Sequence, residues 1–402
     1  MKILFLAHRI PYPPDKGEKI RAFHELKFLG ARHTVDLYCF ADSEAEAEQQ
    51  TALKDYCRRI YVETRSRVRK VTGAAQSLLR GEPLSCGFFS SSKFQAEILR
   101  ALASETFDVI FVYCSSMAQY IPLGLAIPVV MDFVDIDSAK WSQYAKRSRP
   151  PLSWVYEREA KTLAAFEEKW ARASAFTIVT TLQEAELLRG EGIPPVQVVC
   201  NGVEIPAGRG AGLPESIRAL QPFALFVGTM DYLPNVDAVA YFAEEILPRI
   251  RERHPELSFL IVGRNPSNRV HKLGKLPGVV VTGAVPDVEV YLANCAAVVA
   301  PFRIAQGIQN KLLEALAACK PIVSTSGPAA AIGGKHGETL LIADDAEDFG
   351  NAVVALLEDP ALCCRFSNGV EFVRKNFSWH ENLNHLEHLL LQAAGSCLAT
   401  IR

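Results

Sequence analysis

Short apolar runs of the kind that form β-strands alternate with helical patterns along almost the whole chain. Five runs lie in the first half, including KILFLAH and PVVMDFV, and five lie in the second half, including FALFVGT and AAVVAPF. Strands that alternate with helices build parallel sheets covered by helices on both faces. The sequence therefore predicts an α/β protein with two doubly wound, Rossmann-like domains.

The sequence between the two sets of strands indicates where the domains divide. A chain of 402 residues is too long for one ordinary core. Residues 201–218 include a stretch rich in glycine and proline without apolar periodicity, which we interpret as a linker. We predict domains over 1–200 and 219–375, followed by a C-terminal helix over 376–402 that returns toward the first domain.

Composition excludes several classes of protein. The 43 basic and 45 acidic residues give a net charge of −2, which argues against a nucleic-acid partner. Ten cysteines without a C-x-x-C pair indicate a reduced, cytoplasmic protein. The N-terminal apolar run is short and is interrupted by His8 and Arg9, so we interpret it as a first strand and not as a signal peptide. No apolar stretch reaches the ~18 residues that a membrane-spanning helix needs.

The segment PFRIAQGIQNKLLEALAACKPIV, residues 301–323, contains the strongest candidate site. A strand, a turn with a glycine and then a helix direct free backbone N–H groups and the positive end of the helix dipole toward a bound anion. Arg303 and Lys311 add two cations that together suit a diphosphate, and Glu314 offers a carboxylate to sugar hydroxyls. The alternative is that all three are ordinary surface charges.

Loops that follow strands in the first half hold further candidates, because ligands of doubly wound sheets bind at the carboxyl ends of strands. Gly17 lies just before a helix predicted to begin near Glu18, and it either lets the backbone approach a ligand or is a simple turn glycine, since G-x-G-x-x-G is lacking. Asp135 and Asp137 follow PVVMDF and suit a general base, a pair of metal ligands, or a helix cap at Asp137.

In the second half, Gly228 ends the strand FALFVG. Asn235 or Asp237 is placed to cap the helix that follows, and Arg264 stands at the end of another strand.

These pieces together resemble a known family. The pattern R-x-x-x-G-x-x-x-K-x-x-E-A-x-A-x-x-x-P-I-V, with VTGAV and FVGTMDYLPNVDA before it, is similar to that of GT-B glycosyltransferases of the retaining family four. PYPPDKGEKIR, DFVDIDSAKW and GIQNKLLEALA resemble its branch in PEP-CTERM/exosortase exopolysaccharide systems. The resemblance implies two domains that face a central cleft, with the acceptor on the first and a nucleotide sugar on the second. It further implies a retaining hexosyltransferase that uses no metal or other cofactor.

The resemblance also suggests roles for single residues, with two departures. The family's Glu-x7-Glu motif falls on Gln306 and Glu314, so an amide replaces the acid that contacts the donor sugar. The arginine and lysine that the family offers after FVG are replaced by TMDYLPN, which leaves Arg303 and Lys311 to bind the diphosphate. Asp135 stands roughly where many members carry a histidine. The predicted donor-binding residues are Gly17, Gly228, Arg264, Gly283, Val285, Gln306, Gly307, Ile308 and Glu314, and the predicted catalytic residues are Asp135, Arg303 and Lys311.

A locally basic segment over 58–80 suggests a second partner. It contains Arg58, Arg59, Arg65, Arg67, Arg69, Lys70 and Arg80 against Glu63 alone. Such a segment suits anionic lipid on the inner face of the plasma membrane, or is simply a solvated helix face. A lipid-linked saccharide acceptor would agree with the first interpretation. The alternatives for function are a sugar-nucleotide epimerase of the same fold and a two-lobed, non-catalytic sugar-binding protein. The letters DID, residues 135–137, also leave a metal-dependent enzyme open.

Overall fold

A computed structural model describes residues 1–205 and 212–400, without the side chains of residues 67 and 396–400. Residues 206–211 of the predicted linker and the side chain of Arg67 therefore lie outside the described part. The chain divides into two units, one formed by residues 1–200 and 380–402 and the other by residues 201–379.

In the first unit the described strands form a seven-stranded parallel sheet in the order β3-β2-β1-β4-β5-β6-β7. The strands are β1 Lys2–Ala7, β2 Thr34–Ala41, β3 Arg59–Thr64, β4 Val109–Tyr113, β5 Val129–Val134, β6 Phe176–Val179 and β7 Gln197–Val198. The helices are α1 Gly17–Gly30, α2 Glu44–Glu48, α3 Arg67–Arg80, α4 Leu84–Phe88, α5 Ser92–Ser104, α6 Asp137–Arg147, α7 Leu152–Ala173 and α8 Leu182–Leu187. β1 and β4 are neighbours although they are not consecutive, so the strand order reverses between them.

In the second unit six described strands form a parallel sheet in the order β10-β9-β8-β11-β12-β13. The strands are β8 Phe223–Val227, β9 Ser258–Val262, β10 Val279–Gly283, β11 Ala297–Ala300, β12 Ile322–Ser324 and β13 Leu341–Ile342. The helices are α9 Glu215–Arg218, α10 Leu233–Tyr241, α11 Leu247–Arg251, α12 Asn268–Leu273, α13 Glu289–Asn294, α14 Asn310–Ala317, α15 Ser326–Ala331, α16 Ala346–Glu358, α17 Pro360–Arg365 and α18 Gly369–Asn376. The last helix of the chain is α19, Trp379–Thr400.

The central strands of both sheets are apolar on both faces, as parallel strands between helix layers must be. Residues 3–7 of β1 and 109–113 of β4 are all buried, and so are residues 258–262 of β9. In the first unit Phe40 and Phe94 stack with their ring centroids 4.3 Å apart. The prediction of two doubly wound α/β domains is confirmed.

The start of α1 agrees with the prediction to within one residue, since the helix begins at Gly17. The caps considered for two other helices are not formed. α6 begins at Asp137 itself, whose carboxylate pairs with Lys140 one turn later and caps no backbone N–H. α10 begins at Leu233, with Pro234 in its first turn, so that Asn235 and Asp237 lie inside the helix and cannot cap it. The side chains of Asn235 and Asp237 instead contact Lys311 and Arg303, respectively, which are both predicted site residues.

Candidate active site

The strand order of the second sheet reverses between β8 and β11, which places the loops after these two strands side by side. In open α/β sheets such a switch point forms the ligand-binding crevice. The loop after β8 begins at Gly228, and the loop after β11 is 301–309. The predicted site therefore lies where the topology favours a ligand.

Three glycines join the loops after β8, β9 and β10 through their backbones. The Gly228 N–H donates to the carbonyl of Val262 (3.0 Å), and the Gly263 N–H donates to the carbonyl of Gly283 (3.0 Å). A Cβ atom on Gly263 would lie 1.6 Å from the carbonyl oxygen of Gly228, and the φ of Gly263 is +153°. Only glycine fits at this crossing, because both the contact and the backbone angle exclude a side chain. The predicted residues Gly228 and Gly283 are thus brought together.

Lys311 is the second residue of α14, and its ammonium group lies beside the same crossing. Its Nζ donates to Oδ1 of Asn235 (2.8 Å) and lies 4.2 Å and 4.6 Å from the ring centroids of Phe226 and Phe302. Burial against these groups lowers the pKa of Lys311 to about 7, although the carboxylate of Glu314 acts to raise it. An anion next to a buried amine with such a low pKa stabilises the protonated, charged form of the amine.

The amino end of α14 adds backbone donors at this position. The residue before the helix, Gln309, makes no side-chain cap hydrogen bond to the first turn. Its amide instead donates to the carbonyl of Gln306 (3.2 Å). The Leu312 N–H donates to the carbonyl of Gln309 (2.9 Å). The helix dipole and the N–H groups of Asn310 and Lys311 would favour a negative group next to the Lys311 side chain.

Asn235 positions Lys311 and was missed as a site residue, because the sequence suggested only a cap. Its Nδ2 donates to the carbonyl of Thr229 (2.9 Å) while its Oδ1 accepts from Lys311. A Cβ atom on Gly228 would come within 2.7 Å of Asn235 Nδ2 and 3.1 Å of Lys311 Nζ. Because Gly228 has no side chain, there is room beside it for the hydrogen bond between Asn235 and Lys311. No pattern in the sequence links residues 235 and 311.

Arg303 has a strong partner that the sequence did not indicate. Its Nε and Nη2 donate to the two carboxylate oxygens of Asp237 at 3.0 and 2.6 Å, and its guanidinium lies 4.5 Å from the ring centroid of Tyr241. Glu245 adds a weaker ion pair at 3.8 Å. The hydrogen bonds from Arg303 to Asp237 raise the pKa of the arginine, which is charged in any case. A role in phosphate binding stays a prediction, and Asp237 already accepts from two of the guanidinium nitrogens.

The remaining predicted donor-binding residues lie around the same loops. Glu314 lies one turn beyond Lys311, and burial raises the pKa of its carboxyl despite the nearby ammonium. Gly307 has a φ of +63°, which lets the 301–309 loop turn between Gln306 and the buried side chain of Ile308. Outside this loop, the carbonyl of Arg264 accepts from the N–H of Met230 (2.9 Å), and Val285 follows β10 and is partly buried. Their contacts with a donor stay predictions.

In the first unit, Asp135 follows β5 directly. Val134 before it has a φ of +66°, and the Asp135 N–H donates to the carbonyl of Phe133 (2.8 Å). Burial, with Glu184 nearby, raises the pKa of Asp135 well above its usual range, which favours the neutral acid over a charged base. Gly17, the other predicted residue of this unit, forms the first residue of α1.

A basic cluster in the first unit combines residues that are distant in sequence. Arg9, Arg65 and Lys70 all donate to the carboxylate of Asp42, with Arg65 at 3.0 Å and Lys70 at 2.7 Å. Burial acts to raise the pKa of Asp42, yet the hydrogen bond from Lys70 and the charges of Arg9 and Arg65 together lower it to about 2. Three cations thus share one carboxylate, and Arg9 also lies 4.0 Å from Glu18. We call these four residues, Arg9, Asp42, Arg65 and Lys70, the Asp42 cluster.

The described residues contain no group of three or more histidine, cysteine, aspartate or glutamate side chains arranged to hold a metal ion. In the same part of the chain, no helix is both long and apolar enough to cross a membrane.

Residues 221–359 match the family model for glycosyl transferases group 1. Two relatives extend the match. The chain is 21% identical over 406 residues to an uncharacterized 44.6 kDa protein in the cps region of Klebsiella pneumoniae, with 94% of this chain and 96% of the relative covered. It is 30% identical over 242 residues to D-inositol 3-phosphate glycosyltransferase 2 of Catenulispora acidiphila, with 53% of this chain and 55% of the relative covered.

Among solved structures, the chain is similar to the Anabaena protein HepE in complex with UDP and glucose. The TM-score is 0.68 at 15% sequence identity, and the match covers 98% of this chain and 100% of HepE. At this identity the likeness shows the fold, which is the GT-B fold predicted from the sequence.

Proposed function

We propose that this protein transfers a hexose from a nucleoside-diphosphate donor to a lipid-linked saccharide, with retention at the anomeric carbon. The observation that carries the proposal is the weakly charged Lys311 at the uncapped start of α14, inside the segment that matches glycosyl transferases group 1. A buried amine, free backbone donors and a helix dipole converge there on one small space. An anionic diphosphate bound there would supply the negative charge that stabilises the protonated amine of Lys311.

The same residues would serve the chemistry as well as binding. The bond between the anomeric carbon and the phosphate oxygen breaks, and negative charge grows on the leaving diphosphate. Lys311 and the α14 N–H groups interact more strongly with that charge than with the intact donor, so they lower the barrier. Positive charge from Lys311 and Arg303 would stabilise the leaving diphosphate, as a metal ion does in other transferases. We propose a metal-independent enzyme on this basis. Glu314 would accept from ribose hydroxyls, and Gln306 would contact the sugar.

The acceptor is proposed from the first unit and from one relative. The Asp42 cluster carries more positive than negative charge and suits a phosphate or diphosphate, the group by which a polyprenyl carrier holds a saccharide. Asp135 would act as a neutral hydrogen-bond donor to the acceptor or the donor sugar. The relative encoded in a cps region supports a place in polysaccharide assembly, for which we propose the PEP-CTERM/exosortase type on the cytoplasmic face of the membrane.

The experiment is a nucleotide-release assay with and without a polyprenyl-diphosphate saccharide. A panel of nucleotide sugars is offered, beginning with UDP-glucose because HepE was solved with UDP and glucose. Transfer predicts release that depends on the acceptor, and NMR of the product should show the anomeric configuration of the donor. Chelation by EDTA should leave the rate unchanged.

The same assay separates the alternatives. An epimerase of this fold changes the sugar nucleotide without an acceptor, and a binding protein retains it unchanged. Either result with every donor tested would overturn the proposal. Lys311→Met provides the internal control, because it removes the ammonium group and keeps a side chain of similar length.

A further inference from the structure

Helix α3 exposes its apolar face. Val68, Val71 and Leu79 have 70%, 68% and 89% of their surface exposed, and Leu78 has 51%. Val71 follows Val68 by three residues, and Leu78 and Leu79 follow Val71 by seven and eight, which are intervals that place side chains on one helix face. A helix that only covers a core would turn this face inward, so the exposed stripe is the reverse of the usual arrangement.

The opposite face of α3 is the one that packs against the protein, and its small residues explain why. A Cβ atom on Gly73 would lie 2.2 Å from the carbonyl oxygen of Gly87 in α4. A Cβ atom on Gly87 would lie 2.4 Å from Ser77 Oγ. The two backbones therefore pack at a distance that only small residues allow, which fixes the rotation of α3. Its apolar stripe cannot turn inward without breaking this contact.

The start of α7 extends the same exposed surface. Leu152, Trp154 and Val155 have 48%, 66% and 43% of their surface exposed. One turn later, Arg158 Nη2 donates to the carbonyls of Leu78 (3.5 Å) and Glu82 (3.0 Å) at the end of α3. This bridge places the two apolar surfaces next to each other. We call them the docking face, formed by Val68, Val71, Leu78, Leu79, Leu152, Trp154 and Val155.

The charge around the docking face is mainly positive, although Glu82 and Glu157 lie at its edge. Residues 65–81 and 138–156 contain no aspartate or glutamate, in a chain with 45 acidic residues. Exposed basic side chains border the apolar residues in both stretches, namely Arg69, Arg80, Lys146, Arg147 and Arg149. Apolar side chains surrounded by cations match the acyl and phosphate layers of an anionic bilayer. They do not match a second copy of the same face, because the two sets of cations would repel each other.

We propose that the docking face binds the surface of an anionic lipid bilayer, with the apolar stripe of α3 and Trp154 inserted at the level of the headgroups. Lys70 lies on the inner side of α3 and belongs to the Asp42 cluster. A docked protein would therefore hold that cluster close to the headgroups. The inference needs no sugar substrate, so it stands or fails separately from the transferase activity.

The test is sedimentation of the purified full chain with sucrose-loaded vesicles. Vesicles of phosphatidylcholine are compared with vesicles that contain about 30% phosphatidylglycerol, at low and high salt. We expect at least tenfold stronger partition onto the anionic vesicles, with a loss at high salt. Each basic residue near such a surface contributes about fivefold, so Arg69→Glu with Arg80→Glu should lower the partition by more than tenfold.

Matched controls lie on α8 and just after it. Leu79→Ser with Trp154→Ser should reduce binding at least tenfold, whereas Leu187→Ser, at a residue 56% exposed, should change it less than twofold. Arg189→Glu is the corresponding charge control. Circular dichroism checks that each variant is folded. Equal binding by docking-face and control variants, or absence of vesicle binding by the wild type, would overturn the proposal. The proposal would also be overturned if sedimentation velocity showed a dimer of the wild type that only the docking-face substitutions abolish.

Discussion

The pKa of Lys311 makes donor affinity depend on pH in a predictable direction. Burial holds this pKa at about 7 in the free protein, so the amine loses its proton as the pH rises through neutrality. A bound diphosphate favours the ammonium form and raises the pKa, so binding takes up a proton. Affinity should therefore be highest below pH 7 and fall above it. The donor itself adds no slope, because both of its phosphates are esterified and neither titrates in this range.

The magnitude follows from the protonated fraction of the free lysine. With a pKa of about 7, about three quarters of the amine is charged at pH 6.5 and about 3% at pH 8.5. Donor affinity should fall about 25-fold across this range, equal to about 1.9 kcal/mol. Isothermal titration calorimetry with the nucleotide sugar, in buffers of different ionisation enthalpy, measures both the affinity and the proton uptake.

Lys311→Met provides the decisive comparison. The variant should bind more weakly at pH 6.5 and should lose most of the pH dependence, since the remaining titratable group beside residue 311 is Glu314. Wild-type affinity that stays constant from pH 6.5 to 8.5 would refute the reasoning. If the donor affinity of Lys311→Met fell equally steeply with pH, the titrating group would be one other than Lys311.

Four further outcomes are expected. Arg303→Ala should lower kcat/KM in steady-state assays by a factor equivalent to about 2–4 kcal/mol of transition-state stabilisation if the guanidinium binds the phosphate, and unchanged kinetics would make its ion pair with Asp237 structural. Glu314→Gln should weaken nucleotide binding by about 1.5–3 kcal/mol in calorimetry without a change in thermal unfolding. Gln306→Glu should change the ranking of nucleotide sugars in a donor screen, and an identical ranking at equal rates would remove this residue from the site. Gly263→Ala should cost about 3 kcal/mol or more of unfolding free energy, measured by denaturant titration, because its Cβ would lie 1.6 Å from a carbonyl oxygen.

The sequence was sufficient for the architecture, because strand composition and alternation are local signals. Buried parallel strands such as β1 and β9 are nearly continuous apolar runs, and the turns between them carry glycine and proline. The candidate site could be predicted for a similar reason. A strand, a glycine turn and a helix with Arg303 and Lys311 are contiguous in the chain.

Contacts between distant segments could not be predicted in this way. Asn235 and Lys311 are 76 residues apart, and Asp237 and Arg303 are 66 apart. A polar residue near the start of a helix is commonly a cap, and only the position of the helix start excludes that role here. The rotation of α3 about its own axis could not be predicted from the sequence either, since it depends on the contact between Gly73 and the backbone of α4.

The glycine crossing has a consequence for attempts to change the donor. Gly228, Gly263 and Gly283 lie in three loops that are joined by backbone hydrogen bonds. A side chain at Gly263 would strike the backbone of Gly228, and a side chain at Gly228 would displace Asn235 and Lys311. A mutant library aimed at these loops should yield mostly inactive clones. The 301–309 loop is not part of that crossing, and its turn depends on Gly307 alone for a left-handed angle among the described residues of the loop. Directed evolution of donor choice should therefore begin with the residues that flank Gly307 and leave the crossing unchanged.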